Sequence, residues 1–97
     1  MAVGDVVADN ASVAAAGYLT IQPGAGVTWQ IHNITWMDAA TVSTYDGTNE
    51  CPFLVDTAAG GLINATFYVT NGDYIRVQNN HGADAKVLHY DGVVWTE

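Results

Sequence analysis

Basic residues are almost missing from this chain: Arg76 and Lys86 stand against ten acids, a net charge of −8. A nucleic-acid surface works by displacing counterions with clustered Lys and Arg, so that class of partner is excluded. Anionic membrane surfaces are disfavoured on the same ground. Cys51 is the single cysteine, which rules out an intramolecular disulfide framework. Leucine occurs only at Leu19, Leu54, Leu62 and Leu88, and no stretch carries the apolar period of a long amphipathic helix. No apolar run approaches the roughly eighteen residues a membrane-spanning helix needs. The segment Met1-Ala-Val-Gly-Asp5 has neither the basic start nor the apolar core of a secretory leader, so classical secretion is not expected. The sequons at Asn10, Asn33 and Asn64 then read as by-products of a Thr- and Asn-rich strand composition.

What the chain does have is a strand-former's composition. Its 97 residues are 49% hydrophobic, rich in Val, Thr, Ile, Tyr and Trp. That is enough apolar material for one core and too much for disorder. Short alternating runs are separated by turn residues at close spacing. They predict an all-β domain, a compact antiparallel β-sandwich or small jelly-roll-like barrel of about seven or eight short strands. Residues 1–11 read as an N-terminal arm or a short edge strand, and residues 12–97 as a single β-domain.

Two tripeptides, Tyr45-Asp46-Gly47 and Tyr90-Asp91-Gly92, anchor the expected topology. Asp-Gly between strand-forming runs is a strong hairpin signal, because a type I′ turn needs positive φ at both central residues. Two-residue loops at Asp46-Gly47 and Asp91-Gly92 are therefore expected. The first pairs Val42 with Cys51 and Ala40 with Phe53, and puts Val55 on the same apolar face. The second places Leu88, Tyr90, Val93 and Trp95 together. Between residues 27 and 36 the alternation changes phase: Val27, Trp29 and Ile31 share one face, then Ile34 and Trp36 are the apolar positions. A one-residue slip reverses every side chain, so a bulge near His32–Asn33, or a change of sheet, is predicted. In strand 62–70, Ile63, Ala65, Phe67 and Val69 alternate inward, and Ile75 and Val77 follow in strand 74–79. An Asn71-Gly72-Asp73 loop of three residues keeps these sets in phase. The expected core is Val27, Trp29, Ile31, Val42, Phe53, Ile63, Phe67, Val69, Ile75 and Val77.

Chemistry is thinly represented. His32, His81 and His89 lack metal-ligand spacing, and no Ser sits in a nucleophile-elbow context, so no catalytic or metal residues and no cofactor are assigned. A histidine meeting its own copies on a symmetry axis cannot be read from one chain. Ten scattered carboxylates do not make a glycosidase pair in so small a domain. An enzyme is not expected. The aromatic residues remain: Trp29 belongs to an apolar stripe, while Trp36, Tyr90 and Trp95 are candidate subunit-interface residues.

One resemblance adds to this. The segment Ile21-Gln-Pro-Gly-Ala-Gly-Val-Thr-Trp-Gln-Ile-His-Asn-Ile34 resembles one that recurs in small tailed-bacteriophage virion proteins. So does the later series Tyr45-Asp-Gly-Thr-Asn-Glu50, Val69-Thr-Asn-Gly-Asp-Tyr-Ile-Arg-Val-Gln-Asn79 and Tyr90-Asp-Gly92. The resemblance covers residues 18 to 92. It implies a virion structural protein made in the host cytoplasm and placed on the particle's outer surface. Its role there would be capsid decoration (cement) or a head or tail fibre component. It further implies a homo-oligomer, with a trimer favoured, whose partners are capsid or tail proteins, and it carries over no catalytic residue. A receptor- or glycan-binding module of a fibre or baseplate is the alternative; it would expose aromatics near loops 37–39, 56–61 or 79–84.

Overall fold

A computed structural model describes residues 2–97. Nine strands form: β1 (Val6–Val13), β2 (Tyr18–Ile21), β3 (Thr28–Trp36), β4 (Ala40–Tyr45), β5 (Glu50–Asp56), β6 (Gly60–Leu62), β7 (Phe67–Thr70), β8 (Tyr74–Asn79) and β9 (Lys86–Thr96). Every pairing is antiparallel, and the described residues contain no helix. One sheet runs β1-β9-β3, with β6 and β7 sharing the far side of β3; the other runs β2-β8-β4-β5. The two form a small sandwich, as the alternation predicts.

The core lies between them. Ile31, Ile34, Trp36, Val69, Leu88, Tyr90 and Val94 come from the first sheet. Leu19, Ile21, Ala40, Val42, Ile75 and Val77 come from the second. Val27, Trp29 and Phe67 pack half-buried against this cluster. One polar side chain is fully enclosed with it. The Asn79 amide donates to the Val13 carbonyl (2.8 Å) and the Asp84 carbonyl (3.1 Å), and its oxygen accepts from His81 N (2.9 Å). Asn79 thereby ties the β1–β2 connection to the β8–β9 loop, with both amide protons and the amide oxygen bonded.

The predicted bulge is present. Opposite β9, Ile31 pairs with Gly92 and Asn33 with Asp91, which leaves His32 as the extra residue. Ile31 and Ile34 can then both face the core although three residues apart. The bulge also breaks the strand on the other side of β3. Phe67–Thr70 pairs with residues 28–31 and Gly60–Leu62 with residues 34–36. Between them, residues 63–66 arch over the kink. Ala65 N donates to the His32 carbonyl (2.9 Å), and Asn64 N to Asn33 Oδ1 (3.0 Å), with Asn64 in the left-handed region (φ 56°). The single strand expected over 62–70 is therefore two, and Ile63, expected in the core, is 62% exposed on the arch.

The first Tyr-Asp-Gly is a hairpin of another kind. Tyr45 pairs with Glu50, so the loop is Asp46–Asn49, four residues and not two. The Asp46 carboxylate accepts from Thr48 N (2.9 Å) and Asn49 N (2.6 Å), so its side chain builds the turn; of the pair only Gly47 has positive φ. Register is displaced by two residues, which keeps the faces, and then a bulge between Pro52 and Leu54 adds one more, which reverses them. Leu54, not Phe53, therefore faces Val42. Phe53, expected in the core, is 42% exposed and meets the Phe67 ring at the open side of the sandwich (centroids 5.5 Å apart). Val55 is exposed outright.

The second Tyr-Asp-Gly is not a turn. β9 runs straight through it, because an extended strand pairs with β1 on one side and β3 on the other, whereas a hairpin there would pair only four residues with their near neighbours. Leu88, Tyr90, Gly92 and Val94 face inward; Val93 and Trp95 point outward, the reverse of the hairpin expectation. Gly92 serves close approach: a Cβ there would fall on the Gln30 carbonyl oxygen and lie 2.8 Å from the Ile31 Cα. The Asn71-Gly72-Asp73 connection has its three residues, but it carries the chain from the first sheet to the second and is no hairpin within one sheet. Residues 6–13, at the foot of the chain, form an edge strand two residues longer than the boundary drawn from sequence.

Candidate functional site

On the outer face of the first sheet, strand alternation brings Asn10, His89, Asp91, Asn33 and Thr35 into neighbouring cross-strand positions. His89 Nε2 lies 2.8 Å from Asp91 Oδ2, and Asn33 Nδ2 donates to Asp91 Oδ1 (2.7 Å). Partial burial works against the Asp91 carboxylate. The hydrogen bonds from His89 and Asn33, with the charges of His89 and His32, outweigh it and hold its pKa below the ordinary carboxylate value. Beside this cluster is a shallow depression of about 350 Å³ lined by Asn10, Thr35, Trp36, Met37, Val87 and His89. A His–Asp pair resembles half of a catalytic relay. Here, however, the third member is an amide: Asn33 spends its oxygen on Asn64 N and its nitrogen on Asp91. The cluster locks the β3 bulge to β9 and to the 63–66 arch.

The outer face of the second sheet carries a half-buried cation. The Arg76 guanidinium lies 4.0 Å from the Tyr18 ring centroid and 3.9 Å from that of Tyr45, and Nη2 reaches Glu50 Oε2 at 2.7 Å. Two rings and a carboxylate satisfy this cation, so it offers little free charge to a ligand. At the open side of the sandwich, Thr44, Phe67, Tyr68, Val69, Asp73, Tyr74 and Ile75 line a groove of about 320 Å³.

The candidate interface residues separate. Trp36 is 4% exposed, with its indole N–H donating to Asp56 Oδ2 (3.2 Å) and the Ala58 carbonyl (3.1 Å). Tyr90 is buried against Trp29, ring centroids 6.1 Å apart. Both side chains belong to the protein's own core. Trp95 is 47% exposed and packs edge-on against Tyr68, itself exposed (centroids 5.4 Å apart). Gln30 Nε2 donates to the Tyr68 hydroxyl (3.1 Å), so an amide and two rings stand together on the sheet surface. None of them lies in the loops where the glycan reading expected aromatics.

The histidines do not converge. His81 Nδ1 accepts from Ala83 N and Asp84 N (3.3 and 2.9 Å) and so shapes its own loop, with Asp38 3.7 Å from its Nε2. Among the described residues, no three His, Cys, Asp or Glu side chains gather closely enough to hold a metal ion. The Asn33–Asp91–His89 cluster and the Arg76 stack are absent from the sequence reading. His89 and Asp91 stand two apart, on one face of any strand. That signal is readable only once residues 86–96 are taken as one strand and not as a hairpin.

No protein-family model matches the chain, and comparison with curated proteins gives no match.

Proposed function

We propose that the chain is a non-enzymatic structural protein of a tailed-bacteriophage virion, a capsid decoration (cement) protein that binds and stabilises the exterior of the head as an oligomer. The resemblance of residues 18–92 to small virion proteins carries this reading. The molecule is suited to such a role. Its polar clusters are spent on holding strands together, while Val3, Val6, Val55 and Ile63 stay exposed on a small acidic domain. An acidic exterior protein does not compete for packaged DNA. Purified protein is expected to bind expanded capsids at many equivalent positions and to raise their resistance to heat or pressure. Failure to bind at any salt concentration refutes the reading, and neighbouring genes that encode no capsid or portal protein weigh against it.

One observation favours the second reading, a receptor- or glycan-binding module: the exposed Trp95–Tyr68 pair beside Gln30. Aromatic faces flanked by an amide suit neutral sugars. A glycan array tests it, and an empty array rejects it.

A further inference from the structure

Four strand edges are open in the sandwich, and three are blunted. β2 is only four residues long, β6 and β7 are interrupted by the 63–66 arch, and β5 carries Pro52 and a bulge. β1 is the least protected: eight residues, without Pro, Lys, Gly or bulge and with Asp9 as its single charge, paired with β9 on one side only. Val94 N donates to the Asp5 carbonyl, so even-numbered residues of β9 direct their amides at β1. By strand alternation, Val6, Ala8, Asn10 and Ser12 then turn their N–H and C=O groups outward, unpaired.

We propose that β1 pairs antiparallel with β1 of a second copy of this chain across a two-fold axis at Asn10, joining the two first sheets into one. Register follows from parity and charge. A two-fold pairing keeps inner faces together only when a residue meets one of like parity, and this also matches the outward amides. Centring on Asp9 would set two carboxylates directly opposite. Centring on Asn10 places Asp9 against Ala11, Ala8 against Ser12 and Val7 against Val13, with the two Asn10 amides free to bond each other. Asp9, the one charge on β1, thus selects the register. Its two copies still stand diagonally, roughly 7–8 Å apart, a mild repulsion. A two-fold contact closes with two copies, and it replaces the three-fold assembly that the resemblance implies. It does not depend on the virion reading.

Sedimentation of the full chain is expected to show a monomer–dimer equilibrium that strengthens with salt. Asp9→Asn should tighten it about two- to three-fold, the worth of one such repulsion in water. Ala8→Pro removes an outward N–H and spares the β1–β9 ladder, so it should give a folded monomer by circular dichroism. With Cys51→Ser as background, Asn10→Cys should cross-link into dimers on mild oxidation, because paired Cα atoms about 5.5 Å apart suit a disulfide. Ala8→Cys should not. A wild-type monomer at millimolar concentration, a dimer indifferent to Ala8→Pro while that variant is folded, or cross-linking at Ala8→Cys in place of Asn10→Cys overturns the proposal.

Discussion

Replacing Gly92 with alanine adds one methyl group at the tightest point of the fold. The new Cβ would fall on the Gln30 carbonyl oxygen, with the Ile31 Cα 2.8 Å away, and both obstacles are backbone. No side chain can rotate to make room, so β3 and β9 must separate where His32 bulges and the two strands are already out of step. Ordinary overpacking costs about 1–3 kcal/mol, and a clash with rigid main chain belongs at the top of that range, about 3 kcal/mol. In a domain of this size that lowers the melting temperature by roughly 12–24 °C. Two control variants isolate the cause. Gly47→Ala, in the other Tyr-Asp-Gly, meets no atom within 4 Å but must adopt φ near 94°, costing about 1–2 kcal/mol. Gly72→Ala meets neither obstacle and should lie within about 0.5 kcal/mol of wild type. Urea denaturation followed by circular dichroism ranks the three. The reasoning fails if Gly92→Ala is no worse than Gly47→Ala, for then Gly92 would be a turn glycine after all.

Asn79→Ala strips the partners from two carbonyls and one amide around a fully buried site, an expected loss of about 3 kcal/mol in the same denaturation assay. The depressed pKa of Asp91 stabilises the fold above the ordinary carboxylate pKa, and that contribution disappears as pH falls through the lower folded value. Asp91→Asn should therefore show a shallower loss of stability with acidification than wild type; equal slopes would mean the His89–Asp91–Asn33 cluster has no energetic role. Trp95 is the exposed indole, Trp36 is enclosed and Trp29 is half-buried, so Trp95→Phe should abolish most acrylamide quenching of fluorescence while emission from Trp29 and Trp36 persists. Arg76→Lys forfeits the stacking of a planar cation between Tyr18 and Tyr45 and should cost about 1 kcal/mol, although charge is conserved.

The errors of the sequence reading share one origin. Turn signals are local, and strand partners are not. Asp-Gly carries the same local signal at both sites, yet at Asp46 the chain has β5 to return along, whereas at Asp91 it already lies between β1 and β3. Phe53 and Ile63 alternate in phase with true core residues, but a bulge intervenes in each case, one at Phe53 itself and one in the neighbouring β3. Where the phase change was visible within a single strand, at His32–Asn33, the bulge was legible. Where it arose from a neighbour, as at Ile63, nothing in residues 62–70 announced it.

By itself, then, the amino-acid sequence determined the strand composition, the sandwich, most of the inward positions and the bulge in β3, because each follows from the period-2 pattern of one segment. It likewise determined the scarcity of positive charge, two basic residues against ten acids. Only tertiary structure decided which edges stay open, that Trp36 and Tyr90 lie inside while Trp95 lies outside, and that Tyr90-Asp91-Gly92 is a crossing and not a turn. Those outcomes depend on which strands come to lie side by side. A glycine that permits a turn also permits a neighbouring backbone to come close, and the presence of β3 beside β9 is what chooses between the two.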